Sequence, residues 1–459
     1  MQYFRNSLNF FLFSFVLIAS PAIYADIPQT SQFLTLTDIH FDPFVTCHKN
    51  TSSCPLIEKL QQAPAVQWKT ILTVYDTQPP RYKQDTCYRL LQSVLEEFKK
   101  IAAVDHPKFI LVLGDMLGHN FRDNYALFTH DTTQEGYQAF VKKTMEFLTN
   151  EMATTLSTTD VYFTVGNNDS YQDDYVADPH GLFFTDMAKL WSSEIKDKNN
   201  QAIIQQEMSA GGYYAIDIPQ QAELHLIVLN SILFSNKVKG NGVEQAAQAE
   251  LNWLHDQLVS VSAKHQKAII ALHIPVGVDV YATLQEKSDE IVELWQPQYT
   301  QRFLAEMKQF SPYVMTILGG HSHMDWFQIL TFADSHPISV NVTPGLSPLF
   351  GNNPGFKSFS YLNRSLVIEN VDTYSDSLDD TQSWHKEYNF NAVYQPDCQD
   401  CQIIDGMKLI QKTGDLAQHY KMYYSVGTSS QPITTKWLPY YWCQLSAITA
   451  ADYQTCLQV

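Results

Sequence analysis

Short apolar runs that each end in an aspartate, an asparagine or a histidine constrain this chain more than any other feature. Phe33-Leu-Thr-Leu-Thr37 runs into Asp38-Ile-His40, Phe109-Ile-Leu-Val-Leu113 into Gly114-Asp115, and Val161-Tyr-Phe-Thr-Val165 into Gly166-Asn167. Lys267-Ala-Ile-Ile-Ala-Leu272 runs into His273, and Val314-Met-Thr-Ile-Leu318 into Gly319-Gly-His321-Ser-His323. Runs of this length and apolarity read as strands buried on both faces. Residues 224–229 form a further strand of the same kind, and 358–370 a late one. Between them, 90–101, 140–148, 247–258 and 302–310 carry helical apolar spacing. This alternation predicts an α/β layered sandwich.

The strand ends share one chemistry. Ligands of open α/β sheets sit beyond the carboxyl ends of strands. Asp, Asn and His are donors suited to Zn, Mn or Fe. In Asp38-x-His40 and His321-x-His323, residues two apart point to one side if the chain stays extended. The glycines before Asp115, Asn167 and His321 permit close backbone approach. A lone histidine is more often a hydrogen-bonded core residue. Five such pieces, each after a predicted strand, form a pattern in the structural context a site requires.

Asp-x-His, Gly-Asp, Gly-Asn, His and Gly-His-x-His in this order resemble the calcineurin-like metallophosphoesterases. The resemblance implies two mixed sheets flanked by helices, with two divalent cations: Zn, or alternatively Mn or Fe. Asp38, His40 and His323 would hold one cation, Asn167, His273 and His321 the other, and Asp115 would bridge them. Gly114-Asp-Met-Leu-Gly-His119, His273-Ile-Pro-Val-Gly277, His321-Ser-His-Met-Asp-Trp-Phe327 and Asn352-Asn-Pro-Gly355 resemble the acid sphingomyelinase-like branch. Cys443 and Cys456 look like that branch's terminal disulfide, and by analogy Cys87 pairs with Cys47 or Cys54. Asp38 lies too near the N-terminus for a preceding saposin domain, so the saposin-free members are the nearer likeness. Where the family usually carries Gly-Asn-His, this chain reads Gly166-Asn-Asn168-Asp169, which also resembles the endopolyphosphatases.

The expected reaction is hydrolysis of small phosphodiesters or pyrophosphates by metal-activated hydroxide. Candidate substrates are nucleotides, CDP-alcohols and phospholipid or sphingomyelin headgroups. Asn168 can donate to a phosphoryl oxygen but supplies no titrating proton. His119, four residues after Asp115, is the candidate acid for the leaving group. Asp169 and Asp325 are candidates to orient neighbouring ligands. His48, His225, His255, His265 and His336 read as surface or packing residues, Tyr213, Tyr214 and Trp295 as core, and Trp326 as core or pocket wall. The competing readings are an endopolyphosphatase, and a pseudoenzyme that keeps metals for structure. The second would need a missing ligand, and the pattern has none.

Composition narrows the rest. Hydrophobic residues make up 45% and charged residues 17% of the 459, enough for a sizeable core. The formal net charge of −18 excludes a basic face for duplex nucleic acid. Arg5, the apolar stretch over 9–20 and small residues up to Ala25 read as a signal peptide over 1–25, too short to span a bilayer. The expected location is therefore secreted or periplasmic, as a monomer with no transmembrane segment. Seven cysteines in an exported chain imply disulfides with one thiol left over. Cys398-Gln-Asp-Cys401 is a local staple or a pair of free thiols. Asn50-Thr-Ser52 and Asn341-Val-Thr343 satisfy a glycosylation pattern. The main domain is expected over 26–379, and a smaller, mostly helical, cysteine-containing subdomain over 380–459.

Overall fold

In the computed structural model, residues 30–47, 53–285, 290–378, 383–398, 401–428 and 432–458 are described. The segment read as a signal peptide, His48 and Asn50 lie outside them. The strands are β1 (Thr30–Leu36), β2 (Phe109–Val112), β3 (Asp160–Phe163), β4 (Tyr214–Ile218), β5 (Gln221–Val228), β6 (Lys267–Ala271), β7 (Val314–Gly319), β8 (Trp326–Leu330), β9 (Ile338–Val342), β10 (Gly355–Leu362), β11 (Ile368–Asp376) and β12 (Trp384–Asn389). They form two six-stranded mixed sheets, ordered β12-β11-β10-β1-β2-β3 and β4-β5-β6-β7-β9-β8. β1, β2 and β3 run parallel in the first; β5, β6, β7 and β9 run parallel in the second. All five ligand-bearing strands belong to these parallel sets, so their carboxyl ends open on shared edges.

Apolar strands pack as their composition requires. Every residue of β2 is buried. Phe33 stacks between Phe109 and Phe359 at centroid distances of 4.9 and 4.8 Å, joining β1, β2 and β10; such pairs contribute roughly 0.5–1.5 kcal/mol beyond area burial. The sheets meet through Thr35 Oγ1 and Thr343 Oγ1 at 2.7 Å. The Tyr214 hydroxyl also bonds the Phe163 backbone. The four expected helices are longer than their apolar cores: Tyr88–Asp105, Gln134–Thr155, Val243–Ala263 and Pro297–Phe310. Caps extend them. Thr133 accepts from Gly136 N, Pro297 occupies a first-turn position that needs no N–H, and His106 closes the first helix at φ 46°. No described helix is long and apolar enough to cross a membrane.

Four expectations are corrected. The late strand is two strands, β10 and β11, joined by a turn through Asn363-Arg-Ser365 in which Leu366 N bonds Leu362 O. Asn and Ser favour turns, and alternating texture on both sides hid this one. Cys47 pairs with Cys54, leaving Cys87 free and buried. The other bonds are Cys398–Cys401 and Cys443–Cys456. Asn341 is buried in β9, donating to Thr316 Oγ1 and Ser339 Oγ, which leaves no room for a glycan. Asp325 bonds Lys357, Thr373 and Tyr388 rather than a histidine ligand.

Candidate metal centre

The strand pairing of β1 with β2 continues into the loops that follow. Asp38 N bonds Gly114 O, His40 N bonds Asp115 O, and Phe41 N bonds Met116 O. The two loops are thus laced, yet they are not extended. Asp38, His40, Asp115, His321 and His323 have φ of 48°, 42°, 54°, 73° and 60°. This corrects the extended-pair expectation: a left-handed residue turns each side chain toward the cluster. Such conformations cost of order 1–3 kcal/mol for a non-glycine residue and persist only where the surroundings over-determine them. Here the lacing does so for Asp38, His40 and Asp115, while His321 N is held by Asp38 Oδ2 and His323 O by Gly345 N. A Cβ on Gly166 would lie 2.1 Å from Asp115 N, and one on Gly320 2.0 Å from Thr37 Oγ1, so both positions need glycine for close approach.

The side chains of all seven strand-end candidates come together. Asp115 Oδ2 is 3.4 Å from His40 Nε2 and 3.2 Å from His273 Nε2. Asp38 Oδ1 is 3.4 Å from His323 Nε2 and 3.7 Å from His40 Nε2. His273 Nε2 is 3.1 Å from Asn167 Oδ1, and His321 lies in one cluster with Asp115 and His273. Asp38, His40, Asp115, Asn167, His273 and His323 are buried, and His321 is partly so. His119 stacks on His40 at 3.9 Å and joins a cluster with His40 and His323.

Surrounding bonds decide which atoms face inward. Nδ1 of His40, His273 and His323 bond the carbonyls of Leu117, Leu113 and Ser347 at 2.8, 2.7 and 3.0 Å. Each ring therefore donates from Nδ1 and turns Nε2 toward the carboxylates. Asp38 Oδ2 accepts from Thr37 Oγ1 and His321 N, leaving Oδ1 to the cluster. Asn168 donates its backbone N–H and its side-chain amide to the two oxygens of Asp115. Asp169 accepts from Met116 N, Leu117 N and Gly166 N, binding the β2 loop to the β3 loop. Trp326 is buried, and its Nε1 donates to Ser322 Oγ between the paired histidines.

The electrostatics are those of a caged charge cluster. Burial opposes ionisation of Asp115, but the charge and bond of His273, together with His40, hold it well below the usual carboxylate range. Burial likewise disfavours a charged His40, yet the neighbouring Asp38 and Asp115 push it up to about 10. His273 is pushed up to about 9 by Asp115 against its burial. Burial, reinforced by charged His273, pushes His321 down to about 3; burial pushes His323 down to about 4. Burial and the Asp115 charge raise Asp169 to about 6.

The residues fit a divalent metal ion. Asp38 Oδ1 and His40 Nε2 are buried without a hydrogen-bond partner, and such orphaned groups are costly unless something binds them. The inward set of carboxylate, amide and imidazole donors suits a transition-metal ion.

The sequence profile of the calcineurin-like phosphoesterases matches residues 31–325. The chain belongs to this family. It is accordingly a hydrolase of phosphoric esters, from a family that works with divalent metals. Among its relatives, the rat cyclic GMP-AMP phosphodiesterase SMPDL3A is 22% identical over 449 residues, covering 94% of this chain and 92% of the relative. Sphingomyelinase phosphodiesterase D of Dictyostelium discoideum is 23% identical over 330 residues, covering 70% and 68%. A zebrafish (Danio rerio) dimetal phosphatase structure superposes with a TM-score of 0.39 and 11% identity, covering 78% of this chain and 98% of that one.

Sequence reasoning missed several residues around the phosphoesterase site. Asp85 accepts from His119 through both the backbone N (2.7 Å) and Nδ1 (3.0 Å), and from Ser347 Oγ. Phe350 is 57% exposed and stands edge-on to His323 at 4.6 Å and His119 at 5.8 Å. Asp174 and Tyr175 bond Asn167 and His321. No local pattern marks any of them; each matters only through tertiary proximity.

Proposed function

We propose that the enzyme is an extracytoplasmic phosphodiesterase with two divalent cations, Zn above Mn or Fe. Asp38, His40 and His323 would hold one, and Asn167, His273 and His321 the other. The observation that carries this reading is Asp115. A single oxygen, Oδ2, lies within 3.4 Å of a histidine from each group, so Asp115 would serve both. The cations would supply Lewis-acid activation of water and of the phosphoryl oxygens.

The chain's own residues supply the rest. Asn168 holds both oxygens of Asp115 in place, and its second amide hydrogen remains for a phosphoryl oxygen. His119 gives its Nδ1 proton to the bond with Asp85, so Nε2 is the atom that presents a proton to the leaving oxygen. Phe350, exposed beside both histidines, offers a face to the part of the substrate beyond the phosphate. Small diesters of the nucleotide, CDP-alcohol or lipid-headgroup class are the substrates this reading implies. The relatives' names, for activity on cyclic GMP-AMP and on sphingomyelin, fall within that range. Export is supported by three disulfides, which persist in oxidising compartments. Within the stretch 380–459 read as a subdomain, Trp384–Asn389 is the edge strand β12 of the first sheet, and Phe390, Tyr394 and Tyr420 pack around Phe327 of the second.

The test is a substrate panel after chelation and reloading with Zn or Mn: an aryl phosphodiester, CDP-choline, a cyclic dinucleotide, sphingomyelin and long-chain polyphosphate. Release of a nucleoside monophosphate or phosphocholine is expected. Asp115→Ala should lose at least ~10²–10³-fold, the scale of removing one preorganised charge-stabilising group. Shortening of polyphosphate alone would favour the endopolyphosphatase reading instead.

A further inference from the structure

One surface loop reaches two of the three side chains assigned to a single cation. Asp174 Oδ1 accepts from Asn167 Nδ2 at 2.7 Å. That bond turns Oδ1 of Asn167 inward, toward His273 Nε2. In the amide only the oxygen can bind a metal, so its orientation decides whether Asn167 is a ligand at all. The next residue, Tyr175, places its hydroxyl 3.2 Å from His321 Nε2. With Nε2 occupied there, Nδ1 is the ring nitrogen left for a cation.

The loop is built to hold this geometry. Tyr175 is a non-glycine residue at φ 58°, a conformation bulky residues seldom adopt. Its N bonds Asn167 O at 3.0 Å, its O accepts from Lys239 N at 2.9 Å, and Ala177 N returns to Lys239 O. Arg122 and Gln134 brace the loop from outside through the carbonyls of Gln172 and Tyr171. Lys237 Nζ stands over the Tyr175 ring at 5.6 Å. The other cluster is oriented by different atoms, namely Thr37 Oγ1 and the carbonyls of Leu117 and Ser347.

We propose that Asp174 and Tyr175 are positioning residues that set the affinity of the Asn167–His273–His321 site independently of the Asp38–His40–His323 site. The inference rests on the two-cation reading above. The two half-sites would then load with separable affinities, and the loop over 170–177 would govern only one.

Chelated enzyme is titrated with Zn by calorimetry, with bound metal counted after dialysis and melting temperatures recorded in parallel. Wild type should take up two equivalents. Asp174→Ala and Tyr175→Phe should each keep one tight equivalent and weaken the other by about 10- to 100-fold, the usual effect of removing an orienting partner. Asp174→Asn, whose oxygen still accepts, should return toward wild type. Unchanged affinities at both sites would overturn the inference alone, and so would equal weakening at both accompanied by a lower melting temperature. Fewer than two equivalents in wild type would overturn the two-cation reading and this inference with it.

Discussion

His119 and Asp85 form a pair whose geometry argues for a single proton-carrying atom. Burial disfavours the Asp85 carboxylate charge, but the His119 bond and the His40 charge override it and hold the group down at about 2. Asp85 therefore stays ionised through the working range and keeps accepting from Nδ1 of His119. Asp85→Ala should release the imidazole and lower turnover of a diester with a poor leaving group by about 10²-fold, the lower range for general acid catalysis. An aryl diester with an activated leaving group should suffer much less; equal losses on both would sink the acid assignment. A second prediction concerns the metal-free protein. His40 and His273 have folded values raised to about 10 and about 9, above the ordinary 6.5. A raised value contributes stability that is fully present below 6.5 and is lost as pH rises through 9 to 10. The melting temperature of chelated enzyme should therefore fall across that window, and a flat profile would contradict the assignment. Loading at pH 7 should in turn displace about two protons, visible as a buffer-dependent heat.

At the scale of elements, the turns after the strands hold the site. Gly320→Ala would drive a Cβ into Thr37 Oγ1, which itself bonds Asp38 Oδ2 and Leu113 O. We expect a loss of ~1–3 kcal/mol, typical of overpacking, together with weaker binding at the Asp38 half-site; an unchanged chemical denaturation midpoint would refute it. The same turns mark the boundary of what was legible in the sequence. The five strand ends could be read because an apolar run followed by a ligand residue is a local pattern, and it located Asp38, Asp115, Asn167, His273 and the His321–His323 pair. The left-handed backbone at Asp38 and His40 was invisible, since these types also occupy extended chain, and it is the lacing to the β2 loop that selects the turn. Asp85 and Asp174 were missed because an acceptor two loops away leaves no periodic trace. Cys87 was assigned by analogy; its thiol is buried against Gln78 O while Cys47 and Cys54, only seven residues apart, close on each other.

Across the whole molecule, the site exists only while two sheets stay in register, because the first supplies Asp38, His40, Asp115 and Asn167 and the second supplies His273, His321 and His323. Besides the Asp–His contacts of the site itself, a buried lysine–aspartate pair spans that division. Lys357 on β10 reaches Asp325, which lies between β7 and β8, at 2.6 Å, and also donates to Val342 O at the end of β9. Thr373 on β11 and Tyr388 on β12 complete the coordination of the Asp325 carboxylate at 2.9 Å each. Three strands of the first sheet thus converge on one carboxylate of the second. Desolvation makes such a pair a weak net stabiliser, whereas removing one partner leaves a bare buried charge and costs roughly 3–5 kcal/mol. Lys357→Met alone should therefore be strongly destabilising, while Lys357→Met with Asp325→Leu should recover much of the loss in denaturant melts. Thr373 and Tyr388 would remain unpaired in the double variant, so full recovery is not expected. Because the strain falls between the sheets, the single variant should weaken both half-sites alike in a Zn titration, unlike Asp174→Ala, which should weaken one. If Lys357→Met melted like wild type, or weakened only the Asn167 half-site, the ion pair would not be what keeps the two halves of the centre aligned.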